Sequence, residues 1–283
     1  MRKAALVITL SFLGTLVLGQ SRPKEYVDLS VALQHPEAVE VLNLNEKELK
    51  VFPDEILKFK NLKHLELANN SITALPDEVG ELSELTYIDL SGNRLSGLPD
   101  SFSDLKALRT LYVDYGGPAD LEQDFTLLAA LPQLNFLEIG GREIKQLPAT
   151  VGSLESLEYF ELLNSQVKEL PAEFSRLKNL RVLYIVNDTQ FDFKKSIGVL
   201  RQLPGLSELH LEGDNFTELP SEINQLRSLE YLFLNNNALK SLPPEINQLD
   251  NLKYLDVSNN KIPNYIQHRF QEDMTPTIRI KLN

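Results

Sequence analysis

The sequence predicts an α/β solenoid, a right-handed horseshoe of repeated coils with a parallel β-sheet along its concave face. Three observations carry this. The pattern L-x-x-L-x-L recurs with starts at Val39, Leu62, Leu85, Leu108, Leu134, Leu157, Leu180, Leu206, Leu229 and Leu252, at spacings of 23, 23, 23, 26, 23, 23, 26, 23 and 23 residues. A fixed period of that length means stacked repeats. Within a unit such as 85–107, apolar spacing changes from two, at Ile88 and Leu90, to three, at Phe102 and Leu105; these are the periods of a strand and of a helical turn. Seven units then carry a proline step, at Phe52-Pro53, Leu75-Pro76, Leu98-Pro99, Leu147-Pro148, Leu170-Pro171, Leu219-Pro220 and Leu242-Pro243, where the fixed φ starts a helix-like return.

The elements follow in chain order. Residues 1–20 read as a secretory leader: Arg2 and Lys3, an apolar run from Ala4 to Leu18, then Gly19 before polar Gln20 and Ser21. The apolar run is short for a bilayer span. Residues 21–38 form an N-terminal cap, in which Asp28 or Ser30 caps a short helix carrying Leu29, Ala32 and Leu33 that Pro36 stops. Ten repeats fill residues 39–263. Residues 264–283 close the far end, with Tyr265, Ile266 and Phe270 suggesting an amphipathic helix and Ile278 and Ile280 a final strand. Caps are expected because a solenoid must shield its terminal core from water.

The ninth residue of the unit is Asn70, Asn93, Asn237 or Asn260, with Asp214 and Ser165 as polar substitutes. An amide there bonds the backbone of adjacent turns, a structural ladder. Lys47, Gly116 and Arg142 depart from it and must satisfy their turns differently, for instance through water.

The unit L-x-x-L-x-L-x-x-N-x-L-x-x-L-P-x-x-I-x-x-L resembles the leucine-rich-repeat family, in its 23-residue class with a Leu-Pro step. The resemblance covers Val39 to Pro263 and recurs in register, which makes it specific. It implies protein–protein interaction without naming a ligand. There is no cysteine, so disulfides and thiolate metal sites are excluded. Animal extracellular members of the family usually carry cysteine-rich caps, so the resemblance points to bacterial secreted or envelope proteins. Removing Arg2 and Lys3 with the leader takes the formal charge from −12 to −14. Such a surface repels phosphate backbones and anionic lipid, which argues against nucleic-acid and membrane-surface partners.

Alternation along a strand sends the fourth and sixth positions into the core and the third, fifth and seventh onto the concave sheet. The outward rows are expected to present His64, Glu66, Tyr87, Asp89, Tyr112, Phe136, Glu138, Tyr159, Glu161, Tyr184, His210, Tyr231, Phe233, Tyr254 and Asp256 bare to solvent, as a partner-binding surface. Rings give contact area with few rotatable bonds, although rings also simply favour strands and stack along neighbouring turns. Glu66 beside Asp89, and Glu138 beside Glu161, should repel, and a basic protein or peptide would relieve that repulsion. The two 26-residue units, starting at Leu108 and Leu180, lack the Leu-Pro step. They either exchange a tight turn for a real helix, the favoured reading, or form a binding lip through Tyr115 and Phe191. Their placing suggests that a block of three repeats was duplicated.

No catalytic constellation emerges. Glu138 and Glu161 have a glycosidase-like spacing, but a periodic row makes such pairs automatically and an open sheet offers no pocket. The acidic row lacks the order of a calcium loop. His35, His64, His210 and His268 are scattered and read as surface residues. Nucleotide, serine-hydrolase and zincin motifs are missing. The expectation is therefore an exported, non-enzymatic binding module with no cofactor and no metal. The alternatives are a structural or self-assembling envelope protein and a carbohydrate-binding protein.

Overall fold

A computed structural model describes residues 23–266 and 278–282; the leader reading and most of the C-terminal helix expected around Phe270 lie outside the described residues. Among the described residues, twelve parallel strands form one sheet in strictly sequential order, β1 (Glu25–Tyr26), β2 (Val41–Asn43), β3 (His64–Glu66), β4 (Tyr87–Leu95), β5 (Thr110–Tyr115), β6 (Phe136–Gly140), β7 (Tyr159–Leu163), β8 (Val182–Val186), β9 (Glu208–Glu212), β10 (Tyr231–Phe233), β11 (Tyr254–Asp256) and β12 (Arg279–Lys281). Each unit contributes one strand, because no unit can bury its apolar edge alone. The strands pair in the register of the sequence repeat: Leu42, Leu65, Ile88 and Leu111 are successive partners, as are Leu137, Phe160, Leu183, Leu209, Leu232 and Leu255.

The fourth and sixth strand positions point into one continuous core from Leu42 and Leu44 to Leu255 and Val257. After each of the seven proline steps runs a 3-10 turn, for example Asp77–Glu81 after Pro76 and Ala172–Arg176 after Pro171. One buried apolar side chain per turn, such as Val79, Phe102 or Phe174, closes the core from the convex side.

The amide ladder is in place. Asn70 Oδ1 accepts from the N–H groups of Lys47 and Leu49 at 3.0 and 2.9 Å, while its Nδ2 donates to the carbonyls of Leu44 and Leu67, both at 2.9 Å. Asn93 and Asn260 repeat this service one unit after another. The Lys47 turn is thus satisfied by its neighbour's amide. The Gly116 N–H donates to the Leu95 carbonyl at 3.1 Å. A second column, one residue earlier, has left-handed backbone in eight of the ten units: Glu46, Asn69, Gly92, Asn164, Asn187, Gly213, Asn236 and Asn259 have φ between 53° and 74°. Asn and Gly tolerate that conformation best.

The two long units hold α-helices in place of 3-10 turns, α2 (Leu121–Ala129) and α3 (Phe193–Leu200). Asp120 and Asp192 cap them, each accepting from the backbone N–H three residues on. Asp124 Oδ1 accepts from Leu98 N at 3.0 Å, and Ser196 Oγ from Leu170 N at 3.1 Å. In all three pairs, as for the helix starts, the second residue lies 72 positions after the first. The exchange of a turn for a helix is therefore the correct account. Tyr115 and Phe191 form no lip: they are 4% and 5% exposed and belong to the core. The Tyr115 hydroxyl donates to Asp124 Oδ2 at 2.7 Å. A helix is wider than a turn, and these rings fill the extra width beneath it.

At the front, Asp28 rather than Ser30 caps α1 (Leu29–Ala32), accepting from the N–H groups of Ser30 and Val31. Strand β1 joins the sheet ahead of the first repeat, beside β2. At the back, β12 pairs with β11, so Ile280 continues the Leu255 row.

Candidate functional site

The sheet face opposite the core carries the two outward rows in the expected register: His64, Tyr87, Thr110, Phe136 and Tyr159 are successive partners in one, and Glu66, Asp89, Tyr112, Glu138, Glu161, Tyr184, His210, Phe233 and Asp256 in the other. Parallel strands about 4.8 Å apart bring neighbouring rings into contact. His64 stacks on Tyr87 with centroids 3.9 Å apart, and the chain of rings continues through Tyr112 and Phe136 to Tyr159. A second chain runs from Tyr184 to His210 at 3.7 Å, to Phe233 at 4.0 Å and on to Tyr254.

This corrects the expectation of bare rings and acids. Tyr112, Phe136, Glu138, Glu161, Tyr184 and Asp256 are buried, and so are His64 and His210, which are not the surface residues expected. Glu66, Tyr87, Asp89, Tyr159, Phe233 and Tyr254 are half-buried. Tyr231 is exposed, at 37%. The side chains lie on the expected face, but the strand spacing makes each ring cover its neighbour. What the face offers a partner is mostly ring edges and carboxyl oxygens.

The two histidines are held by acids on their own strands. His64 Nε2 contacts Glu66 Oε1 at 2.8 Å, which, with donation from Asn45, holds the Glu66 carboxyl below its ordinary range. His210 Nε2 and Nδ1 contact Glu208 and Glu212 at 2.7 and 2.9 Å. Burial opposes the charged imidazole, but the two carboxylates outweigh it and raise the His210 pKa. Sequence reasoning passed over Glu208 and Glu212, although the alternation Glu208-x-His210-x-Glu212 puts all three on one face. Asp256 receives Lys281 Nζ at 2.8 Å and the Ser258 N–H at 3.0 Å. Burial works against its charge; these donors prevail and lower its pKa.

Glu66 and Asp89 are register partners, yet both are supplied with donors. Asp89 accepts from the Ser91 backbone N–H and hydroxyl. Glu138 and Glu161 are different. They face each other across β6 and β7, with Tyr112 the next member of their row on one side and Tyr184 on the other. Burial pushes the Glu161 carboxyl up to about 7, against the pull of His210 and a hydrogen bond shared with Glu138. Two carboxyls can share such a bond only with a proton between them. Among the described residues no cluster of three or more His, Asp or Glu side chains is arranged to hold a metal.

Models of leucine-rich repeats match three stretches of the chain: "Leucine rich repeat" over residues 60–115 and 204–268, and "Leucine-rich repeat region" over 118–215. The chain belongs to the leucine-rich-repeat family. Among solved structures it is similar to an internalin of Listeria monocytogenes, with 18% identity, 87% of this chain and 76% of that one covered, and a TM-score of 0.58. It is also similar to the Toll–Spätzle complex of Drosophila, with 21% identity, 92% and 34% covered, and a TM-score of 0.67. A third likeness is to the ectodomain of the Arabidopsis thaliana receptor kinase GASSHO1/SCHENGEN3 in complex with CASPARIAN STRIP INTEGRITY FACTOR 2, with 25% identity, 83% and 29% covered, and a TM-score of 0.51. No curated protein sequence matches the chain. Leucine-rich-repeat folds of this kind are generally non-enzymatic interaction modules. Among the described residues, no helix is long and apolar enough to cross a membrane.

Proposed function

We propose that this leucine-rich-repeat solenoid is an exported binding module that docks a basic protein or peptide on its concave sheet. One observation carries the reading: the run Tyr112, Glu138, Glu161, Tyr184 across four consecutive strands. Two carboxyls sharing a proton between two tyrosines form a receptor for a lysine or arginine side chain. The cation replaces the proton between the acids and makes charge-assisted hydrogen bonds to both carboxylates. Glu66 and Asp89 extend the negative field toward one end, which favours fast association with a cationic partner. Tyr87, Phe136, Tyr159, Tyr231, Phe233 and Tyr254 supply apolar contact, with exposed Tyr231 the ring most available to insert. Export rests on the leader-like residues 1–20.

Carbohydrate binding is the weaker reading, because sugars stack on ring faces and here His64, Tyr87, Tyr184, His210 and Phe233 have turned faces toward one another. The test is a pull-down of partners by the chain and by its E138K/E161K variant across a salt series. Loss of capture, with a flatter salt dependence for whatever remains, supports the proposal. Unchanged capture with an unchanged salt slope removes the electrostatic site.

A further inference from the structure

In two consecutive units the ladder amide is replaced by a carboxyl. Asp188 and Asp214 are 0% and 2% exposed. Asp214 Oδ1 accepts from the Asp188 N–H at 2.8 Å, just as Asn70 Oδ1 accepts from Lys47. The other half of the amide has a different task. Asn237 Nδ2 donates to the carbonyls of Leu211 and Leu234 at 2.7 and 3.0 Å, and Asn93 Nδ2 to those of Leu67 and Leu90. By the same register, the second oxygen of Asp214 faces the carbonyls of Ile185 and Leu211. That oxygen, and both carboxyl oxygens of Asp188, are buried without a hydrogen-bond partner among the described residues. An ionised oxygen only accepts and is repelled by carbonyls; a carboxylic acid O–H donates to them as the amide does.

We propose that Asp188 and Asp214 stand protonated in the folded chain, replacing the asparagine amide with an acid O–H, and form a pH-sensitive latch under the loop 187–193. Asp188 and Glu212 both face Asp214, and each disfavours a further negative charge there. Ser165 borders Asp188 and eases its charged form, short of a full hydrogen bond. The nearby cations are engaged on the outer surface, Lys194 with Glu222 and Lys195 with Glu169 and Asp192. Burial is the largest influence on both acids, raising Asp188 to about 7 and Asp214 to about 9. Groups raised in the folded state contribute full stability below their ordinary range, and that stability is lost as pH rises through the folded values. The latch therefore holds at acidic pH and slackens between about pH 7 and 9. Above it lies a groove of about 430 Å³ lined by Phe191, Phe193, Lys194 and Phe216. Loss of the protons loosens the floor of that groove.

The full chain and its D188N/D214N variant are melted at steps from about pH 5 to pH 9. The expected result is a variant that melts higher at pH 9, with a gap of several degrees that shrinks toward pH 5. Hydrogen exchange at residues 187–193 should rise with pH in the parent beyond its intrinsic rate, and not in the variant. The infrared band of a protonated carboxyl at pH 6 should weaken in the single variants D188N and D214N, which keeps the test open if the double variant folds poorly. A gap independent of pH, or an unchanged infrared band, would overturn the proposal. So would a parent melting point at pH 8 that calcium chloride raises while leaving the variant's unchanged, since the carboxyls would then hold a cation rather than a proton.

Discussion

At the left-handed column, Glu46 does the same backbone duty as Asn69, Gly92 and Asn236 with φ of 58°, but its Cβ meets the carbonyl that glycine avoids. Replacing Glu46 by Gly or Asn is expected to stabilise the chain by about 0.5–1 kcal/mol, measured by urea unfolding. The acid pair makes a second residue-scale prediction. Glu161 titrates near 7 when folded and near the ordinary glutamate value when unfolded, so the stability linked to its proton is complete below about pH 4.3 and is lost by about pH 7. E161Q should abolish that part of the pH dependence and gain about 1–3 kcal/mol over the parent at pH 8. A partner cation competes with the same proton, so affinity for a lysine- or arginine-rich ligand should rise from pH 5.5 to pH 8 by isothermal titration.

For single elements, the long units show what their extra residues provide. Helix α2 is tied to the sheet by Asp124, which bonds the Leu98 backbone with one oxygen and the Tyr115 hydroxyl with the other. Burial raises the Asp124 pKa against both of these donors. Tyr115→Phe should cost about 1–3 kcal/mol in thermal unfolding, because a buried carboxyl oxygen loses its donor while packing is kept. Asp120→Ala and Asp192→Ala should each cost about 1 kcal/mol through loss of a helix cap. If Tyr115→Phe were silent, the tie between α2 and β5 would have no energetic content.

Across the whole molecule, contacts run between neighbouring coils, so stability is close to a sum of unit terms and interfaces. Phe160 lies mid-chain, fully buried against Phe174 on the convex turn of its own coil. Phe160→Ala should cost about 3–5 kcal/mol and raise hydrogen exchange most in β6, β7 and β8, with less effect at β2 and β11. A uniform rise along all the strands would show one cooperative body instead.

The period of 23, the Leu-Pro steps and the Asn column were enough to place the strands, the turns and the ladder, because each is a local requirement repeated in register. The same period put Glu138 beside Glu161 and chose the sheet face on which the rings stand. Whether those rings met solvent or one another depended on side-chain width against strand spacing, and that was decided only when the coils stacked. Tyr115 and Phe191 read as lip residues because nothing in their own neighbourhood shows what covers them; helices packed over the long units draw both inward. The carboxyl of Asp214 looks like a polar substitute in the chain, and Asp188 holds the same ladder position one unit earlier; both acquire their protons only from a buried site lined with carbonyls, a property of the assembled solenoid and of no single unit.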